Sequence, residues 1–259
     1  MNKKIKKSII IAKYTFKEIV SGKILMVSPI LGLSLLIITY IAYEFTYETT
    51  ERVALDFGLG MLNLSSVGIS LFIGSGILSN EIQNRTVYMI VSRPVSRLSF
   101  IIGKNLGLMS INIVNVFFLS ILTLAIYFLI GGAYNSLILW SILFILLEST
   151  VVLLLVSTLS LFSSQVLAVL ISICLYVLGH MSEAVKLTSM YKHNEMIAMV
   201  ADYYHFILPS FGRFNIKQFV LYEQSLSTQY LLSTFSYGIV YSVFLLMASI
   251  LVFKRKDLE

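Results

Sequence analysis

Residues 137–181 decide the fold of this chain, and they read LILWSILFILLESTVVLLLVSTLSLFSSQVLAVLISICLYVLGHM. The stretch is almost continuously apolar. As a single helix, rising about 1.5 Å per residue, it would be more than twice as long as the hydrocarbon core of a bilayer is thick. It must therefore fold back, and the polar triplet 163–165 is the place for the turn. The sequence predicts one membrane-spanning helix over 137–162 and a shorter one over 166–180.

The rest of the chain has the same apolar character. Of its 259 residues 58% are hydrophobic and 12% are charged, whereas a soluble domain carries about 25% charged residues. Further apolar runs predict spans over the ranges 26–43, 58–78, 106–130 and 230–253. We therefore expect an all-α integral membrane protein with six transmembrane helices. The first span should be retained, because no signal-cleavage pattern follows it.

Basic residues indicate how the chain is oriented. Lysines interleaved with apolar residues predict an amphipathic helix over 1–24, which lies in the headgroup region against anionic lipid. Fourteen Lys and Arg residues fall in this segment, the loop 79–104 and the tail, and five fall on the opposite side. The positive-inside rule then places both termini in the cytoplasm. Membrane topology accounts for the net charge of +6 without nucleic acid as a partner.

The loop 79–104 contains a charged pattern of its own. Glu81 and Arg85 are four residues apart in the favourable order, and apolar residues follow until Pro94. This predicts a short amphipathic helix parallel to the membrane. The alternative is an ordinary connecting loop whose arginines extend to the headgroups.

The motifs Glu81, Arg85-Thr86, Ser92-Arg93-Pro94-Val95-Ser96-Arg97 and Gly103-Lys104 resemble the pattern between the second and third spans of ABC type-2 exporter permeases. The similarity is greatest to the branch that includes the nitrous-oxide-reductase maturation permease. The basic start, the Pro209-Ser210-Phe211 turn and the ending Phe253-Lys254-Arg255-Lys256-Asp257 also resemble that family.

The resemblance implies one permease domain over 1–259, in the cytoplasmic (inner) membrane of a prokaryote. The loop would be a cytoplasmic coupling helix that binds a separate ABC ATPase, present in two copies and carrying the ATP and Mg. A second permease copy would complete a homodimer, and the outer loop 182–229 could contact an extracytoplasmic accessory protein. The implied coupling residues are Glu81, Arg85, Thr86, Arg93, Pro94 and Arg97.

We expect no enzymatic activity in the chain itself. Its two Gly-Lys pairs, Gly22-Lys23 and Gly103-Lys104, lack the spacing of a nucleotide-binding loop. Two sets of small residues could let helices approach closely: Ser66, Ser70 and Gly74 on the second span, and the pair Gly103-x-x-x-Gly107. These stripes could pack against a second permease copy or within one subunit.

Glu148 is the one acidic residue deep within a predicted span, and a carboxylate in the membrane is costly. We expect it either to line a pathway, for which Asn112 and Asn115 are further candidates, or to be a buried structural group paired with a polar neighbour such as one of these asparagines. Three histidines, His180, His193 and His205, lie among methionines and are weak candidates for copper ligands. Their spacing matches no established ligand pattern, so no metal site is predicted.

Two other classes of function remain as alternatives. An ion-coupled carrier or channel without an ATPase would need several charges within the membrane or paired broken helices. An intramembrane enzyme would need paired acidic or histidine ligands, and no H-E-x-x-H motif occurs in the sequence.

Overall fold

The computed structural model describes residues 3–22, 27–45, 50–83, 96–187, 196 and 209–255. Within these ranges the regular structure is helical, and no strand occurs. The elements are α1 (Lys3–Val20), α2 (Val27–Phe45), α3 (Thr50–Gln83), α4 (Arg97–Leu129), α5 (Ser136–Ser160), α6 (Gln165–Leu187), a 3-10 turn (Phe211–Phe214), α7 (Lys217–Leu221) and α8 (Thr228–Arg255).

Four of these helices are long and apolar enough to cross a membrane. They contain the stretches Glu51–Gly76, Arg97–Leu129, Ser136–Leu159 and Thr228–Arg255, which belong to α3, α4, α5 and α8. Shorter apolar stretches, Pro29–Ile41 and Gln165–Met181, occur in α2 and α6. The all-helical class is therefore confirmed, and the composition of these helices fits a transmembrane protein.

The long apolar stretch folds as two helices, α5 and α6. The chain leaves α5 at Ser160 and enters α6 at Gln165, so the reversal occurs at the polar residues. Ser164 supports the start of α6, because its carbonyl accepts the backbone N–H of Ala168 at 2.9 Å. The helix–turn–helix prediction for this segment agrees with the structure.

Two helices extend past the predicted apolar spans into their polar flanks. α3 begins at Thr50, so Glu51 and Asp56 are helical, and it continues through Glu81 to Gln83. At the other end of the loop, Ser96 caps α4 by accepting the N–H of Ser99 at 3.2 Å. Residues 97–104 are thus the start of α4 rather than part of a loop.

Other predicted features fall outside the described residues. These are most of the proposed coupling helix, with Arg85, Thr86, Arg93 and Pro94, and the part of the outer loop with His193 and His205. Of the predicted outer loop 182–229, residues 182–187 belong to α6, and 217–221 form α7.

α5 is the central helix of the bundle. Its residues from Val151 to Val156 are all buried, most of them completely. α3, α4, α6 and α8 all pack against it. An α-helix that is apolar on every face has no polar side to orient it. Contacts with neighbouring helices, rather than with lipid, therefore set its position.

α1 packs along the first part of α4 by way of two glycines. A Cβ on Gly103 would lie 2.8 Å from the carbonyl oxygen of Ser8, and one on Gly107 would lie 2.9 Å from that of Ala12. The candidate interface stripe of Gly103 and Gly107 is therefore a contact within one subunit. The same holds for Gly74, whose Cβ would lie 2.9 Å from the carbonyl oxygen of Leu153 on α5.

Substituting Gly103 with alanine should weaken the bundle, because the added methyl group meets the backbone of α1. Overpacking of this kind costs about 1–3 kcal/mol. Gly68 is the matched control, since a Cβ there meets nothing within 4 Å. Gly68→Ala should instead stabilise α3 by up to about 1 kcal/mol through helix propensity. Unfolding of the two variants in mixed micelles checks this, and equal effects would contradict the α1–α4 contact.

Candidate functional site

Glu148 lies at the midpoint of α5 and is completely buried. One carboxylate oxygen accepts a hydrogen bond from the Asn63 side chain on α3, with a distance of 3.0 Å from Nδ2 to Oε2. The other oxygen lies 2.7 Å from Nε2 of His180 on α6. Three helices are therefore joined through one carboxyl group.

Tyr176 completes this cluster from one turn earlier on α6. Its hydroxyl donates to Oδ1 of Asn63 at 3.4 Å, and its ring meets the His180 ring edge-on at 4.7 Å between centroids. With Asn63, Tyr176 and His180 arranged around it, the buried carboxyl group of Glu148 has a partner at each oxygen. Such compensation is needed, because removing a charge from water costs several kcal/mol.

Residues 209–222, here called the capping segment, close one end of the cluster. Phe211 stacks on His180 with ring centroids 6.1 Å apart. The close approach depends on Gly179, where a Cβ would lie 2.5 Å from both the Phe211 ring and the Pro209 carbonyl oxygen. The capping segment is held further by the Tyr237 hydroxyl on α8, which accepts the backbone N–H of Ser210 at 2.9 Å.

A cavity of about 260 Å³ lies beside the cluster, between α3, α5, α6 and the capping segment. Its polar lining includes Asn63, Tyr176, His180 and Lys217. The ammonium group of Lys217 is 2.6 Å from Oδ1 of Asp56, and both side chains are partly exposed to solvent. The cavity thus extends from the Glu148–His180 contact to the Lys217–Asp56 ion pair.

Asn112, one of the two predicted neighbours of Glu148, hydrogen-bonds to other residues. Asn112 accepts a hydrogen bond from Ser70 at 3.2 Å and donates to Ser149 and Thr150 at 2.8 and 3.3 Å. It therefore forms a separate polar layer next to Glu148 along α5, and Asn115 is buried on the same helix as Asn112. α4 faces a different side of α5, so the partners of Glu148 come from α3 and α6 instead.

Sequence reasoning missed Asn63 and Tyr176 and assigned His180 only to a metal. The available signal was the spacing of Tyr176 and His180, which places both on one face of a helix. Among the residues that the structure describes, no group of three His, Cys, Asp or Glu side chains could hold a metal ion.

Arg97, a predicted coupling residue, lies at the opposite end of the bundle from the capping segment. Its guanidinium donates to the backbone carbonyl of Lys254 at 3.4 Å, in the last turn of α8. One turn on, the ring of Phe100 stacks on Phe253 with centroids 5.7 Å apart. A cation at a helix C-terminus complements the helix dipole, so Arg97 joins the start of α4 to the end of α8.

No protein-family model matches the chain, and no curated protein matches its sequence. The family resemblance therefore rests on the motifs of the loop 79–104, on the turn at 209–211 and on the order of the apolar segments.

Replacing His180 with alanine should destabilise the protein by about 3 kcal/mol, because it removes a partner from a fully buried carboxylate. Adding Glu148→Gln should recover part of that loss, since the second change removes the uncompensated charge. The free energy of unfolding of both single variants and the double variant tests this pairing. A double variant that loses the sum of the two single effects would contradict it.

Proposed function

We propose that this chain is the membrane subunit of an ATP-binding cassette exporter, driven by a separate ATPase. The observation that carries the proposal is the sequence of the α3–α4 connection, from Glu81 to Arg97, with its resemblance to the coupling segment of type-2 exporter permeases. The transport function follows from that resemblance, since a helical bundle alone is compatible with many functions.

In this proposal α2 and α6 also cross the membrane, which gives six spans and returns the C-terminus to the side of the N-terminus. The end of the bundle with residues 84–95 faces the cytoplasm, and the capping segment faces outward. Helix α4 has 33 residues, about 50 Å in length, so it exceeds a hydrocarbon core of about 30 Å. α1 packs on its projecting first part, in keeping with a helix at the membrane surface.

The contacts around the α3–α4 connection suit it to transmit a movement of residues 84–95 to the helices of the bundle. α3 leads into it, α4 leads out of it, and Arg97 links α4 to the end of α8. At its other side, α4 is tied to α1 by the ammonium group of Lys104, 3.4 Å from Oε2 of Glu18. A force applied to residues 84–95 would therefore reach four helices. α3 and α4 in turn pack on α5, which carries Glu148.

The proposed complex contains two copies of this chain and two ATPase subunits, which bind ATP and Mg. Charged residues of the connection, among them Arg85 and Arg93, would pair with the ATPase surface, and arginine suits such contacts because it binds carboxylates in a bidentate manner. ATP binding would bring the two ATPase subunits together, move the connections and repack the spans.

The double substitution Arg85→Glu with Arg93→Glu should release the ATPase, because it reverses the charge of the proposed contact. Arg97 is left unchanged, since its guanidinium contacts α8 within the chain. The measurement is purification of the tagged chain from its native membrane, with identification of copurifying proteins that contain a nucleotide-binding loop. The matched control is Arg255→Glu, an exposed position at the same end of the bundle; it should retain the partner.

Absence of any copurifying ATPase, or equal retention by the two charge-reversed variants, would contradict the proposal. The purified chain, reconstituted alone, provides a second test. Transport without an ATPase would favour an ion-coupled carrier, for which the buried Glu148–His180 pair is the specific supporting observation.

A further inference from the structure

We propose that the cavity beside Glu148 and His180 is a binding site for an anionic group, a carboxylate or phosphate attached to an apolar body. Two short polar contacts border this cavity, the hydrogen bond between Glu148 and His180 and the ion pair between Asp56 and Lys217. In both pairs the nitrogen-bearing side chain lines the cavity, and the carboxylate does not.

The arrangement of the two pairs determines whether the cavity prefers to bind an anion or a cation. None of the residues that line the cavity in the described part of the chain carries a carboxylate, whereas Lys217 and Asn63 supply N–H groups. The Glu148 oxygens are occupied by Asn63 and His180. A bound cation would therefore meet nitrogen-bearing side chains first, while an anion would meet the Lys217 ammonium group.

Lys217 can exchange partners at small cost. Its side chain is 30% exposed and that of Asp56 is 45% exposed, and a pair so accessible to water contributes little to stability. The ammonium group carries three N–H bonds, so a ligand could bind it while Asp56 remains close. Gly60 leaves space at this point, because a Cβ there would lie 3.1 Å from Nζ of Lys217.

The apolar part of the cavity wall includes Leu59, Ile145 and Phe214, all three buried. Its volume of about 260 Å³ is just below the range of ligand pockets, about 300–1,000 Å³. The site therefore fits a small amphipathic anion or the head of a lipid. Both share the same chemistry, an anionic oxygen group next to hydrocarbon.

The test uses the full chain in nanodiscs of phosphatidylcholine and tritiated octanoate as the probe. Octanoate should bind saturably, and octylammonium, which has the same chain length and the opposite charge, should not displace it. The double variant Lys217→Gln with Asp56→Asn removes the cation without leaving an unpaired acid. It should weaken octanoate binding about tenfold or more, as expected for the loss of a charge-assisted hydrogen bond.

Arg255→Gln serves as the control, because it removes a basic residue at the opposite end of the bundle and should leave binding unchanged. Repeating the measurement in nanodiscs that contain phosphatidylglycerol identifies the source of the anion. A decrease in octanoate binding there assigns the site to a lipid headgroup, and unchanged binding assigns it to a free anion.

No saturable binding, equal binding by the double variant, or stronger binding of octylammonium would overturn the anion site. The measurement needs no ATPase, so its failure would leave the proposed exporter function intact. Failure of ATPase copurification would equally leave this binding site in place.

Discussion

The burial of one carboxyl group, Glu148, constrains the centre of this bundle more than any other interaction. Lipid offers no hydrogen bonds, so every partner of this group must come from the protein. Asn63 on α3 and His180 on α6 provide them, and these contacts fix how both helices are rotated about α5. The capping segment is then placed by Phe211, which stacks on the same histidine. A movement that separates these helices must first supply other partners for Glu148.

Close packing of helix backbones accounts for much of the remaining arrangement of the helices. In a membrane, helices gain little from burying apolar side chains, and small residues that allow close approach take over. Gly74 faces the backbone of α5, and Gly103 and Gly107 face that of α1. Polar groups also recur along α5: Glu148, then Ser149 and Thr150 with Asn112, then Ser157, which donates to Asn105 at 3.0 Å. The bundle is therefore held by hydrogen bonds at several levels along its central helix.

The helical class and the reversal within 137–181 were predictable, because apolar length and a polar interruption are properties of the sequence alone. The positions at which the helices begin and end were less predictable. The apolar part of each span needs to be only as long as the hydrocarbon core is thick. The hydrogen-bonded helices α3 and α4 are longer, and they begin at Thr50 and Arg97.

The importance of Glu148 could be predicted, since a carboxylate in an apolar span needs a partner. The partners of Glu148 could not be predicted, because they depend on which helix faces which side of α5. Asn112 was the natural expectation from its polarity, yet it hydrogen-bonds to Ser149 and Thr150 on another side of α5. The glycine stripes were recognisable as packing surfaces. Only the three-dimensional arrangement shows that Gly103 and Gly107 contact the same chain.

In the proposed orientation the α3–α4 connection faces the cytoplasm and the capping segment faces outward. Single cysteines at Thr86 and at Tyr222, each in a Cys174→Ser background, allow a direct test with a membrane-impermeant maleimide. Tyr222 is exposed in the capping segment, so its cysteine should react in intact cells. The cysteine at Thr86 should react only after the membrane is permeabilised. Labelling at Thr86 in intact cells would place the connection outside, and no cytoplasmic ATPase could then drive this protein.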